Sequence, residues 1–265
     1  MIIHKVPIRN RLRNYLYLLV DERSKEALAI DPLAHKLCLD IAEEHGYHIT
    51  QVLNTHHHHD HIGGNTKVIE ATGATLLAHA NADIPDVDQA LNVGDVVNVG
   101  RYELQVMDTP GHTMSHICLF YAGDEGSDKE DAEPALFSGD TLFNAGVGHC
   151  YLGGHPETLF QTLTTAFVGL PSNTRLFPGH DYIENNLKFT LDREPKNRLA
   201  KELLMGFDAG VDSEAYVTTL KLEQSINVFM RLDSQDVRTK LNKEGQSCVD
   251  DKSTFLALRE LRNQW

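Results

Sequence analysis

Residues 55–61 read Thr-His-His-His-His-Asp-His, and Ile62-Gly63-Gly64-Asn65 follow. The cluster comes directly after Val52 to Asn54, which reads as the end of a strand. In an extended or loosely turned segment, alternate side chains point the same way. His56 and His58 can therefore converge on one ion, while Asp60 and His61, at the turn into the next helix, can reach a second. Imidazole and carboxylate suit zinc, iron or manganese. A purification tag is the competing explanation of a histidine run, but tags are usually terminal and carry neither an embedded aspartate nor a following Gly-Gly. The segment is read as a metal-binding loop.

One loop cannot complete two metal sites, so further donors must come from elsewhere. Three segments at the ends of predicted strands supply them. Asp108-Thr109-Pro110-Gly111-His112 uses a Pro-Gly turn to bring His112 round, with His116 placed to support a ligand from behind. Phe137-Ser138-Gly139-Asp140 offers a carboxylate able to bridge two cations. Phe177-Pro178-Gly179-His180-Asp181-Tyr182 is a second Pro-Gly-His turn. Each is weak alone, since Pro-Gly marks only a turn. Their joint occurrence at strand ends is strong.

Short apolar runs alternate with helical patterns up to Pro178. Strands are expected at Tyr15 to Val20, Ala27 to Ile30, Thr75 to Ala78, Tyr102 to Met107, Ile117 to Tyr121, Ala135 to Phe137 and Arg175 to Phe177. Helices are expected at His35 to His45, Lys67 to Ala71, Glu157 to Phe167 and Glu184 to Leu191. Beyond Pro178 almost no strand-like runs remain, and helical stretches such as Lys196 to Met205 and Leu256 to Arg262 dominate. This is an α/β body followed by a small helical domain. Gly123 to Pro134 is a solvated acidic loop.

A net charge of −14 excludes nucleic acid as an expected partner, because neutralising phosphates takes a basic surface. An acidic substrate would need local basic groups. Residues 221–265, with eight Lys/Arg against seven Asp/Glu, are the place to seek them. The N-terminus has no signal-peptide architecture, and its one apolar stretch is too short to span a membrane. Four cysteines without CxxC spacing suit a reducing compartment, so a cytoplasmic location is expected, with no membrane partner. A monomer is expected.

Thr55 to His61, Thr109-Pro110-Gly111-His112, Gly139-Asp140-Thr141-Leu142-Phe143 and Pro178-Gly179-His180-Asp181-Tyr182 resemble, in order, the motifs of the metallo-β-lactamase superfamily and within it the glyoxalase II (hydroxyacylglutathione hydrolase) family. The resemblance covers essentially the whole chain. It implies a four-layer αββα sandwich over residues 1–180, the metal-binding catalytic domain, and a helical substrate-binding domain over 181–265. It implies one divalent metal on His56, His58 and His112 and another on Asp60, His61 and His180, bridged by Asp140 and a water or hydroxide. Zinc is the expected metal, with iron and manganese compatible. The implied activity is hydrolysis of S-(2-hydroxyacyl)glutathione thioesters, as in methylglyoxal detoxification, with Asp60 and Asp140 steering the hydroxide.

Substrate residues follow position by position. Tyr182 corresponds to the glutathione-binding tyrosine, and Tyr151 to the aromatic residue of a loop here written Gly146-Val147-Gly148-His149-Cys150-Tyr151. The family's usual Gly-Cys-Gly-Lys/Arg has become Gly-Val-Gly-His, so His149 stands where a cation is usual. Arg259 and Arg262 resemble the pair that grips the glycine carboxylate; at i, i+3 on a helix they share a face. Within the superfamily the rival reading is a glutathione-persulfide dioxygenase with a single iron.

Overall fold

All six residues of Tyr15–Val20 are buried, and they divide by parity. Tyr15, Tyr17 and Leu19 pack into a core shared with Leu104, Leu119 and Phe137. Leu16, Leu18 and Val20 pack into a second core with Cys38, Ala42 and Val68. Successive strand side chains point to opposite faces, so a strand apolar at every position must be covered on both. Ile117–Tyr121 repeats the pattern: Ile117, Leu119 and Tyr121 join the first core, while Cys118 and Phe120 join a third with Leu159, Leu163 and Phe255. Three cores separate four layers: helix, sheet, sheet, helix.

A computed structural model describes residues 1–124 and 133–265; most of the acidic loop expected at 123–134 lies outside the described residues. The first sheet has spatial order β1 (Ile2–Pro7), β2 (Tyr15–Val20), β3 (Glu26–Ile30), β4 (His48–Leu53), β5 (Thr75–His79) and β6 (Gln89–Leu91). It is antiparallel through β3 and parallel from there on. The second sheet is built from β7 (Val96–Val99), β8 (Tyr102–Asp108), β9 (Ile117–Tyr121), β10 (Ala135–Gly139), β13 (Arg175–Pro178) and β14 (Thr218–Thr219). A small separate hairpin, β11 (Leu142–Phe143) with β12 (Gly146–Val147), follows β10. Because β9 is antiparallel to both β8 and β10, and β13 is parallel to β10, the ends of β8, β10 and β13 open on one rim.

Helices α1 (His35–His45) and α3 (Asn65–Thr72) cover the first sheet, with the short α2 (His59–Ile62) before α3. On the other side lie α4 (Pro156–Thr165) and the C-terminal set α5 (Ile183–Arg193), α6 (Arg198–Asp208), α7 (Leu220–Ile226), α8 (Gln235–Lys243) and α9 (Asp251–Asn263). Pro at the first position of α4 and an Asp250/Ser253 capping box on α9 define where these helices begin.

The expected strands and helices are present, with ends shifted by a few residues. Sequence reading missed β1, β6 and β7, which are edge or outer strands whose side chains are largely half-buried or exposed. Their apolar signal is weak for that reason. The two-residue β14 adds a strand after Pro178 where almost none was expected.

Candidate metal centre

Every expected donor follows a strand. His56 and His58 leave β4, and Asp60 and His61 lie in the short α2 that follows. His112 leaves β8, Asp140 leaves β10, and His180 leaves β13. Two groups of donor atoms result, each within 4.8 Å: His56/His58/His112 and Asp60/His61/His180. In the first, His58 Nδ1 is 3.1 Å from His56 Nε2 and 3.0 Å from His112 Nε2. In the second, His61 Nε2 is 3.2 Å from His180 Nε2, and Asp60 Oδ2 is 3.6 and 3.5 Å from those two nitrogens. Asp140 lies between the groups, its Oδ2 3.5 Å from His112 Nε2 and 3.2 Å from His180 Nε2. Gly179 lets the β13 turn approach this carboxylate: a Cβ there would stand 2.2 Å from Asp140 Oδ1.

The opposite ring nitrogens fix the tautomers. His112 Nδ1 faces the carbonyl of His149 at 2.7 Å, His180 Nδ1 that of Leu12 at 2.7 Å, and His58 Nε2 that of Leu152 at 2.9 Å. A carbonyl only accepts, so these outward nitrogens carry the hydrogen. His61 Nδ1 donates to the Asp31 carboxylate at 2.9 Å. Thr55 gives its hydroxyl hydrogen to Asp31 and accepts from His56 Nδ1 at 3.0 Å. With all five rings neutral, as metal ligands must be, five lone pairs point inward at one another, and Asp140 Oδ1 is buried without a hydrogen bond. Bare nitrogens 3.0–3.2 Å apart repel unless cations stand among them. This donor set fits divalent metal ions.

The electrostatics differ from ring to ring. Burial, with neighbouring histidines, holds His56 far below the ordinary imidazole range and pushes His112 down to about 3. Burial acts the same way on His61, but Asp140 and Asp31 outweigh it and hold its pKa high. Burial opposes ionisation of Asp140, yet His180 and His61 keep it well below the carboxylate range.

The expected substrate residues lie around this centre. Tyr182 stacks on His180, centroids 4.9 Å apart, and His149 on Tyr151 at 3.8 Å. His149 also stands 4.9 Å from the His112 ring, and burial pushes its pKa down to about 4, so it supplies no cation at neutral pH. Arg262 donates to Asn186 Oδ1 at 3.0 Å and is partly exposed. Arg259 is 5% exposed; its guanidinium donates to the Val147 and Gly148 carbonyls and to Asn263.

Sequence reading missed Asp31 and Asn14. Asp31 follows β3 at φ +50, and Asn14 donates to Asp60 Oδ2 at 3.0 Å. A buried-strand run ending in Asp-Pro was the available signal for Asp31. Asn14 had none. His116 stands behind Asp140, with its Nε2 accepting from the Asp140 amide at 3.0 Å.

The family model of the metallo-β-lactamase superfamily matches residues 19–180, and that of the hydroxyacylglutathione hydrolase C-terminus matches residues 181–265. A Nitrosococcus oceani protein named hydroxyacylglutathione hydrolase is 49% identical, with 100% of both chains covered. One from a Polaromonas species, of the same name, is 48% identical with the same coverage. The crystal structure of ETHE1 from Myxococcus xanthus is similar at a TM-score of 0.69 and 26% identity, over 99% of this chain and 92% of that one. The chain belongs to the metallo-β-lactamase superfamily and, within it, to the hydroxyacylglutathione hydrolase family.

Proposed function

We propose that the protein hydrolyses S-(2-hydroxyacyl)glutathione thioesters, S-D-lactoylglutathione to glutathione and D-lactate among them, as in the second step of methylglyoxal detoxification. The observation that carries this reading is the pair of donor groups with Asp140 between them. His56, His58 and His112 would hold one divalent ion, and Asp60, His61 and His180 the other, with Asp140 touching both. Zinc is the metal of first choice, and the same donors accept iron and manganese.

Two such ions would lower the pKa of a bound water to about 7 and would polarise the thioester carbonyl. Asp60 and Asp140 would orient that water. The departing thiol has a pKa of about 8.5, so its thiolate leaves with little help from an acid. No Ser or Cys nucleophile is needed. Burial pushes the Cys150 thiol up to about 11, which suits a bystander.

Residues 1–180 act as the catalytic domain and 181–265 as the substrate-binding domain. Tyr151 and Tyr182 flank the tripeptide, and Arg262 meets its glycine carboxylate. Arg259 adds positive charge with its fork already engaged. His149, lacking charge, contributes its stacked ring rather than a salt bridge. A cytoplasmic monomer is the expected form. Among the described residues no helix is long and apolar enough to cross a membrane.

The test is hydrolysis of S-D-lactoylglutathione by wild type, His58→Ala and Asp140→Ala at matched metal content. Two metals per chain and a sharp loss of turnover in both variants are expected. Undiminished turnover in either variant would remove the two-metal mechanism. One iron per chain, with oxygen uptake on glutathione persulfide, would favour the dioxygenase.

A further inference from the structure

Residues 144–149 run from the Asp140 turn to Tyr151, and the C-terminal helices hold their backbone along its length. The Asn144 carbonyl accepts from Asn186 at 2.9 Å. The Ala145 amide, in a left-handed conformation at φ +56, donates to the Glu223 carboxylate at 2.8 Å. The Gly146 carbonyl accepts from Asn227 at 3.1 Å, and Arg259 Nη1 reaches the Val147 and Gly148 carbonyls at 3.0 Å each. The next carbonyl, His149, takes the outward Nδ1–H of His112. Between them the chain passes so close to the donors that a Cβ on Gly148 would lie 2.0 Å from the Asp140 carbonyl and 2.8 Å from His112 Nδ1.

Arg259 spends a buried cation on neutral oxygens, and no described carboxylate pairs with it. Burying an unpaired charge is costly, so a residue in this state is held there for what it organises. The carbonyls it fixes lie one and two residues before the one that orients His112. A left-handed alanine likewise persists only where its surroundings over-determine it, and here Glu223 and Asn227 do so.

We infer that Arg259, Glu223 and Asn227 are positioning residues for the metal centre. By fixing the backbone of 144–148 they set the His149 carbonyl, and through it the direction of His112. The helical C-terminal region thus shapes the donor group His56/His58/His112 from behind, besides facing substrate. This rests on the proposal that His112 is a metal ligand.

The experiment is zinc titration of the metal-free full-length protein against a chromophoric chelator, which resolves two binding steps. In Arg259→Ala one step weakens by about tenfold or more, the usual effect of losing support behind a ligand, while the other keeps its affinity. Lys252→Ala removes an exposed ion pair with Glu157 from the same helix and leaves both steps unchanged. Wild-type affinity at both steps in Arg259→Ala, or equal loss at both, overturns the inference. Should Arg259→Ala not fold, Asn227→Ala is measured and judged by the same two outcomes. The hydrolase reading fails separately, if zinc-loaded wild type leaves S-D-lactoylglutathione intact whatever the variants' zinc affinities.

Discussion

One oxygen of Asp31, Oδ2, accepts the Nδ1–H of His61 at 2.9 Å and the hydroxyl of Thr55 at 2.7 Å, and Thr55 in turn receives His56 Nδ1. A single carboxylate therefore orients one histidine in each donor group. Asp31→Asn keeps the shape but puts an amide where an acceptor is needed, which favours the wrong tautomer of His61. Zinc affinity is expected to fall about 10- to 100-fold, measured by chelator competition. Unchanged affinity would leave Asp31 a purely structural residue.

Arg262, partly exposed, is the residue proposed to meet the glycine carboxylate. Losing one charge-assisted hydrogen bond to a carboxylate costs about 1.5–3 kcal/mol, or roughly tenfold and upward in KM. Arg262→Ala is expected to raise KM by that factor with kcat nearly kept. The effect should vanish with a thioester whose glycine carboxylate is amidated. A KM penalty that persists on the amidated substrate contradicts the assignment.

Removing metal should cost stability as well as turnover, because it leaves buried ring nitrogens 3.0–3.2 Å apart with no cation among them. A ligand at a thousand times its Kd stabilises by about 4 kcal/mol. For a chain of this size that corresponds to roughly 10 °C in Tm. Chelation is expected to lower Tm by about this much and abolish thioester cleavage, and added zinc should restore both. A Tm indifferent to chelation would count against metal-filled donor groups.

Glu223 gives a pH signature away from the metals. Burial lifts its pKa from 4.5 to about 7, against the opposing hydrogen bonds of Thr218, Ala145 and Asn227. The folded state therefore binds the Glu223 proton more tightly than the unfolded chain. Its contribution to stability is complete below about pH 4.5 and is lost as pH rises through about 7. The span is worth roughly 3 kcal/mol at most. Urea melts of wild type and Glu223→Gln are expected to show their stability difference drifting by up to this amount between those pH values, with wild type losing ground as pH rises. Parallel curves would indicate that the carboxyl does not titrate there.

The donors were legible because each carries its own local mark at a strand end: a dense cluster, a Pro-Gly-His turn or, for Asp140, a Ser-Gly-Asp turn. The two-faced cores of β2 and β9 were legible as uninterrupted apolar runs. β1 was not, since an edge strand reading Ile-Ile-His-Lys-Val-Pro has only half its surface to bury. Asp31 looked like an ordinary turn residue before Pro32. The link from Arg259 to Val147 spans 112 positions, and nothing at either end announces the other. Local chemistry can be read along a chain, whereas partners chosen by the packing of layers cannot.

The placement of the donors at strand ends of both sheets also governs the order of assembly. Neither group is complete until β4 of the first sheet meets β8 or β13 of the second, so the unfolded chain offers only the 56–61 cluster to an ion. Contacts this distant in sequence form late in folding. Metal uptake would then follow the docking of the sheets instead of nucleating it, and a nascent chain exposed to zinc too early would be held by its histidine cluster before its other donors have arrived.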